Sequence, residues 1–285
     1  MDREKGRLSN IIQKISSKDL IGAEVQENKL IYSVIGFIPA CDLVDNALLI
    51  SNLGYLLAQE GLNTCIVDLK VFYPNLYQFL DVVPNKRANG LIKVLKSDKV
   101  DFRGEILSTK YDRLFLLSPS PDDLMEEYFD FEFENLERVI NTLKHMFDIV
   151  LLDIPNNPPL EFCLGAMKYC HVGIFTATER LEAASNMVKL LDYAASVGIS
   201  TSKFTSVVLM NLQDIEFDYR VINESGFKIV AALPFVKEAV ESALEGKIYV
   251  KDNPFVNKYF KKQIQRIVGL LANDRMVAGL LTDEE

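Results

Sequence analysis

Two carboxylates in this sequence each close a short apolar run: Asp68 in TCIVD and Asp153 in IVLLD. A carboxylate at the end of a buried strand can hold a hydrated Mg²⁺ beside a bound phosphate. It can equally cap the following loop by accepting backbone N–H bonds. The phosphate itself would need a βα turn with glycines, a lysine for the β/γ-phosphates and a Ser or Thr for the metal. The candidate turn reads VIGFIPACDLVDNALLISNLG, from Val34 to Gly54. No Lys or Arg lies between Lys29 and Lys70, no Gly between Gly36 and Gly54, and no Ser or Thr between Ser33 and Ser51. Asp42 and Asp45 stand where positive charge is wanted, and a carboxylate facing a triphosphate is repulsive. On its residues this turn is not a phosphate cradle.

The elements around it have a regular order. Apolar runs predict strands over Leu30–Phe37, Thr64–Asp68, Leu114–Leu117, Ile149–Asp153, Val172–Thr176, Thr205–Met210 and Lys228–Ala231. Several are continuous (IVLLD, VGIFT, SVVLM), as in central strands of a parallel sheet covered on both faces. Helical periodicity fills the intervals, notably Asp42–Glu60, Phe133–Phe147, Glu179–Val197, Val236–Leu244 and Asn257–Asn273. Strands alternating with helices of this length predict a doubly wound α/β fold, a mostly parallel sheet with helices on both faces.

In that order, five segments resemble the MinD/ParA superfamily of deviant Walker-type ATPases, whose fold is P-loop NTPase-like. SNLGYLLAQEGLNTCIVDLK (Ser51–Lys70) resembles the family's A-N-L-G-x-x-L-A-x-x-G…I-D-x-D helix and strand. VFYPNLYQFLDVVP, which follows, is similar to the pilus-assembly (TadZ/CpaE-like), flagellar-placement and capsule branches. FDIVLLDIPNNPP resembles the Walker B segment, SVVLMN the strand ending in the adenine-reading asparagine, and LPFVKEAVESALEGKIYV the C-terminal pattern. The matches run from about Lys29 to Asn273.

Carried over residue by residue, the resemblance shows what is missing. Register on Ser51–Gly54 places Asn46 at the P-loop lysine, Ala47 and Leu48 at the threonines after it, and Cys41 near the signature lysine that reaches into a partner's site. Asp68 keeps the first carboxylate of Asp-x-Asp, but Lys70 replaces the second, which positions the attacking water in the family. Asp153 keeps the Walker B carboxylate. Asp45, Asn46, Ala47, Asn211 and Pro234 are thus vestigial nucleotide-site positions, although Asn211 can also be a plain turn residue. Lys70 can pair with Asp68 or Asp153 across the Mg²⁺ position. No catalytic residue, cofactor or metal is expected; the alternative is an ATP-binding switch or weak ATPase with an atypical Walker A loop that still holds Mg-ATP. The resemblance also places the apolar Phe37, Ile38, Leu43 and Val44 at the family's dimer face, which implies a homodimer or another protein partner.

Composition bounds the rest. The chain has 285 residues, 49% apolar and 25% charged, and a net charge of −9. That balance argues against non-specific nucleic-acid binding, which rests on phosphate neutralisation. Lys258, Lys261, Lys262 and Arg266 form a local basic cluster on the last helix, read as a solvated face with DNA or surface contact as the alternative. The four cysteines are scattered and read as buried reduced thiols. Residues 1–28 form an extension ahead of one domain over 29–285. In it Leu8, Ile11, Ile12 and Ile15 make a basic amphipathic helix, expected against the domain's own surface, with a membrane or partner as the alternatives. Asp122–Glu137 holds eight carboxylates and four aromatics and reads as a solvated acidic segment or a surface for a basic partner. A cytoplasmic location is the default.

Overall fold

Alternate residues of the apolar runs point to opposite faces of one sheet. In IVLLD, Val150 and Leu152 pack into one core, while Ile149 and Leu151 pack into the other. Burial on both faces is why these strands carry no polar alternation. The computed structural model describes residues 32–271, except 43, 45, 98, 100, 130–132, 158–159 and 212–217. The helix expected around Leu8–Ile15, the tail from position 272, Leu43 and Asp45 lie outside the described residues.

The strands are β1 (Val34–Pro39), β2 (Thr64–Asp68), β3 (Leu107–Ser108), β4 (Leu114–Leu117), β5 (Ile149–Asp153), β6 (Val172–Ala177), β7 (Ser206–Met210) and β8 (Lys228–Leu233). They form one sheet in the order β3-β4-β2-β5-β1-β6-β7-β8. All pairings are parallel except β3 with β4. The longer helices are α1 (Asn46–Gln59), α2 (Phe133–Met146), α3 (Leu160–Tyr169), α4 (Glu182–Ser196), α5 (Lys237–Leu244) and α6 (Lys258–Leu271). Residues of α1, α5 and α6 share one core with Ile35, Phe37, Ile66 and Leu151. Residues of α2, α3 and α4 share the other with Val34, Ile38, Val67 and Leu152. This is the predicted doubly wound arrangement.

Three differences have physical reasons. The helix expected from Asp42 begins at Asn46, because the segment before it is tied to β6 and α4. Helix α3 carries no amphipathic signal, since Phe162 to Met167 are buried consecutively. The short β3 pairs antiparallel at the sheet edge over two residues, too few for periodicity to register.

Candidate functional site

The parallel register brings the carboxyl ends of β1, β2, β5 and β6 together, the place where open α/β sheets hold their ligands. Asp68 and Asp153 are direct register partners on β2 and β5, and Phe37 of β1 is partner to Asp153 on its other side. Both carboxylates are fully buried.

Their partners differ. The turn after β2 folds back over Asp68: Oδ1 accepts from the Lys70 N–H at 3.0 Å, and Oδ2 accepts from the N–H groups of Asn75 and Leu76 at 3.1 and 3.2 Å. Asp68 therefore caps the one-turn helix Leu76–Phe79. The same turn returns the Lys70 side chain over β5, where Nζ lies 2.8 Å from Asp153 Oδ2 and donates to Asn75 Oδ1 at 3.2 Å. Of the two pairings open to Lys70, the structure selects Asp153. Burial pushes the Asp68 carboxyl up, to about 7; the Lys70 charge opposes the rise and the Asp153 charge adds to it.

Asn46 fills the remaining side of Asp153. Its Nδ2 donates to Asp153 Oδ1 at 3.2 Å and to the Phe37 carbonyl at 3.3 Å, while Thr176 of β6 donates to its Oδ1. Asn46 and Ala47 are buried. The loop between β1 and α1 is strapped down as well. The Ala40 N–H donates to the Thr176 carbonyl at 2.7 Å, and Asn156 and Asn186 donate to the carbonyls of Pro39 and Ala40 at 2.8 and 3.1 Å. Cys41 Sγ meets Thr178 Oγ1 at 3.4 Å. Beside this loop is a cavity of about 180 Å³, lined by Pro39, Asp42, Val44, Lys70, Tyr73 and Asn156, among others.

The predicted residues thus divide. Asp68, Asp153 and Asn46 form one buried polar cluster, closed on its outer side by the half-buried Lys70. Asn211 and Pro234 line a separate cavity of about 240 Å³ with apolar walls. Asn211 is engaged there: its N–H donates to the Leu233 carbonyl and its Oδ1 accepts from Tyr219. Val44 is half-buried at the first cavity, but Phe37 and Ile38 do not form a dimer face. Both are fully buried, one in each core, because β1 is the central strand between β5 and β6. Lys258, Lys261, Lys262 and Arg266 lie exposed on one face of α6. Sequence reasoning missed Asn75, Asn156, Thr176 and Asn186. The signal available for Thr176 was a polar residue ending the run VGIFT. Asn75 and Asn156 sit in loops whose course no local pattern reveals, and Asn186 lies on α4, where periodicity does not say which loop it meets.

No family model and no curated protein matches this sequence. Solved structures do match. The cell division ATPase MinD of Pyrococcus furiosus aligns with 84% of this chain and 99% of its own, at 22% identity and a TM-score of 0.70. A ParA family ATPase from Chlorobium tepidum aligns with 82% of this chain and 96% of its own, at 19% identity and a TM-score of 0.69. MinD in the MinC:MinD cell division complex of Aquifex aeolicus aligns over 83% and 96%, at 16% identity and a TM-score of 0.67. The chain therefore has the fold of the MinD and ParA ATPases.

Proposed function

We propose that this protein is a catalytically silent member of the MinD/ParA superfamily, acting as a scaffold or positioning factor through protein–protein contacts. One observation carries the reading: Lys70 holds Asp153 in an ion pair of 2.8 Å, and Asn46 holds its other oxygen. The residues present do not fit a Mg-triphosphate. Asp153, the carboxylate that would face the metal, already faces an ammonium. Asn46 stands at the P-loop lysine position and is buried among Phe37, Asp153 and Thr176. The Ala40 N–H is directed at β6 rather than at a ligand. Charge-assisted contacts contribute about 1.5–3 kcal/mol each, so the loss of three or four lowers affinity by several powers of ten.

Protein partners are the natural currency of such a molecule, and the Aquifex neighbour's structure is a complex with MinC. The processes open to it are those of positioning and assembly: cell division, partition or pilus assembly in the cytoplasm. No described helix is long and apolar enough to cross a membrane. The net charge of −9 places nucleic acid outside the reading.

Titration calorimetry with Mg-ATP tests the proposal. The expected result is no heat of binding up to about millimolar nucleotide and no phosphate release above background. Saturable binding tighter than that replaces the scaffold with an ATP-gated switch.

A further inference from the structure

The apolar cavity at the ends of β7 and β8 has no role in the buried cluster. Leu48 of α1, Met210, Leu233, Val236 and Phe260 of α6 form its walls. Its rim is also apolar and faces solvent: Phe235 is 49% exposed, Val240 40% and Leu244 84%. Val240 and Leu244 stand four apart on α5, so they form one stripe along the opening. Glu238, Glu241 and Glu245 run beside that stripe, with Glu241 paired to Lys237 and Glu245 to Lys247. Lys237 and Lys247 neutralise two of these three carboxylates, so the border is mixed with a small acidic excess. The apolar slot itself is what suits an amphipathic helix with side chains at i, i+3, i+4 and i+7.

Two basic segments of the chain have that spacing, and α6 already buries its own apolar residues, Ile264, Ile267, Val268 and Leu271, in the core; the other is N-terminal. Leu8, Ile11, Ile12 and Ile15 have that spacing, and positions 1–18 hold five basic residues against two acidic ones. We infer that residues 1–18 dock in cis over this cavity, with the isoleucines against Phe235, Val240 and Leu244. The reach is sufficient. The cavity is one strand length, about 20 Å, and three strand spacings, about 15 Å, from the start of β1. Residues 16–31 can span up to about 55 Å when extended. This inference rests on the nucleotide reading in one respect, because Asn211 and Pro234, vestigial nucleotide-site positions by the resemblance, line the same cavity; the calorimetry tests that reading separately.

The chain contains no tryptophan, so Phe235→Trp in the full-length protein gives a single reporter at the rim. The expected result is blue-shifted emission with acrylamide quenching several-fold weaker than in the same protein carrying Ile11→Asp and Ile12→Asp. Protection should not change on dilution. Leu244→Trp serves as a second reporter should Phe235→Trp alter the fold, which circular dichroism reports. Identical emission and quenching with and without the two aspartates overturns the inference. So does protection that vanishes on dilution, which assigns the cover to a second copy, or protection that survives the two aspartates, which assigns it to another occupant.

Discussion

Lys70 Nζ lies 2.8 Å from Asp153 Oδ2, where it neutralises one of two buried carboxylates that face each other across β2 and β5. A lysine two residues past a strand end ordinarily points to solvent. Here the turn Lys70–Leu76 wraps around Asp68 and returns the ammonium over the sheet, with Asn75 accepting from it. One cation thus serves a pair of acids that burial alone would not tolerate ionised.

Replacing that cation should therefore be costly. Lys70→Met leaves Asp68 and Asp153 facing each other without the ammonium between them, while the N–H groups on Asp68 and Asn46 on Asp153 remain. Removing one partner of a buried pair costs about 3–5 kcal/mol. The Lys70 side chain is 21% exposed, so the lower end, about 3 kcal/mol, is expected in urea unfolding at pH 7. Lys70→Arg should recover most of it. A methionine variant as stable as the parent would mean that the pair is solvated.

The pH dependence follows from Asp68. Its folded-state value is pushed up to about 7 from the ordinary 3.8, chiefly by burial. Between those values the folded protein holds a proton that the unfolded chain has lost. The contribution of this group to stability is therefore fully present below about pH 3.8 and is lost as pH rises through about 7. In Asp68→Asn that titration is absent. The prediction is that the stability difference between parent and variant narrows as pH rises from 4 to 8. A widening difference would mean that the three N–H bonds outweigh burial.

Asn46 offers a test of the loop. Its side chain links Phe37, Asp153 and Thr176, and so joins β1, β5 and β6 to the start of α1. Asn46→Ala removes one hydrogen bond each from a buried carbonyl, carboxylate oxygen and hydroxyl. The Phe37 carbonyl still accepts from the Ile154 N–H and the Thr176 hydroxyl still donates to the Ile38 carbonyl, so the main cost, about 1–3 kcal/mol, falls on Asp153 Oδ1. A net loss in that range is expected in the same urea assay. Asn46→Lys, which puts a lysine where the resemblance places the P-loop lysine, should not confer Mg-ATP binding, because Lys70 still occupies Asp153.

Much of this site could be read from residue types, and the limits have definite causes. Strand ends placed Asp68 and Asp153, and the identity of Lys70 alone suggested a cation between them. Which acid it takes depends on the path of residues 70–76, a matter of backbone hydrogen bonds to Asp68 that no periodicity encodes. Phe37 and Ile38 misled for the opposite reason. Apolar residues before a loop look available for a partner, but strand pairing on both edges of β1 and helices on both faces bury them.

With Phe37 and Ile38 buried, a self-contact of this protein would have to use exposed side chains, and those beside the first cavity are the candidates. Tyr73 is 71% exposed, and Phe129, 59% exposed, packs edge-on against Phe72 with ring centroids 5.9 Å apart. Val44 and Tyr73 line the cavity at the loop. Aromatic side chains of this kind are the usual anchors of protein interfaces. The prediction is that a dimer through this face would need no nucleotide, because none of these side chains is a phosphate ligand. Light scattering should accordingly give a dimer mass with and without Mg-ATP. Tyr73→Glu should weaken association at least tenfold, equivalent to about 1.4 kcal/mol, and leave the urea midpoint nearly unchanged when measured where the parent is monomeric, because the side chain is exposed. A monomer mass in both conditions, at concentrations up to about millimolar, would remove self-association and leave a different protein as the occupant of this face.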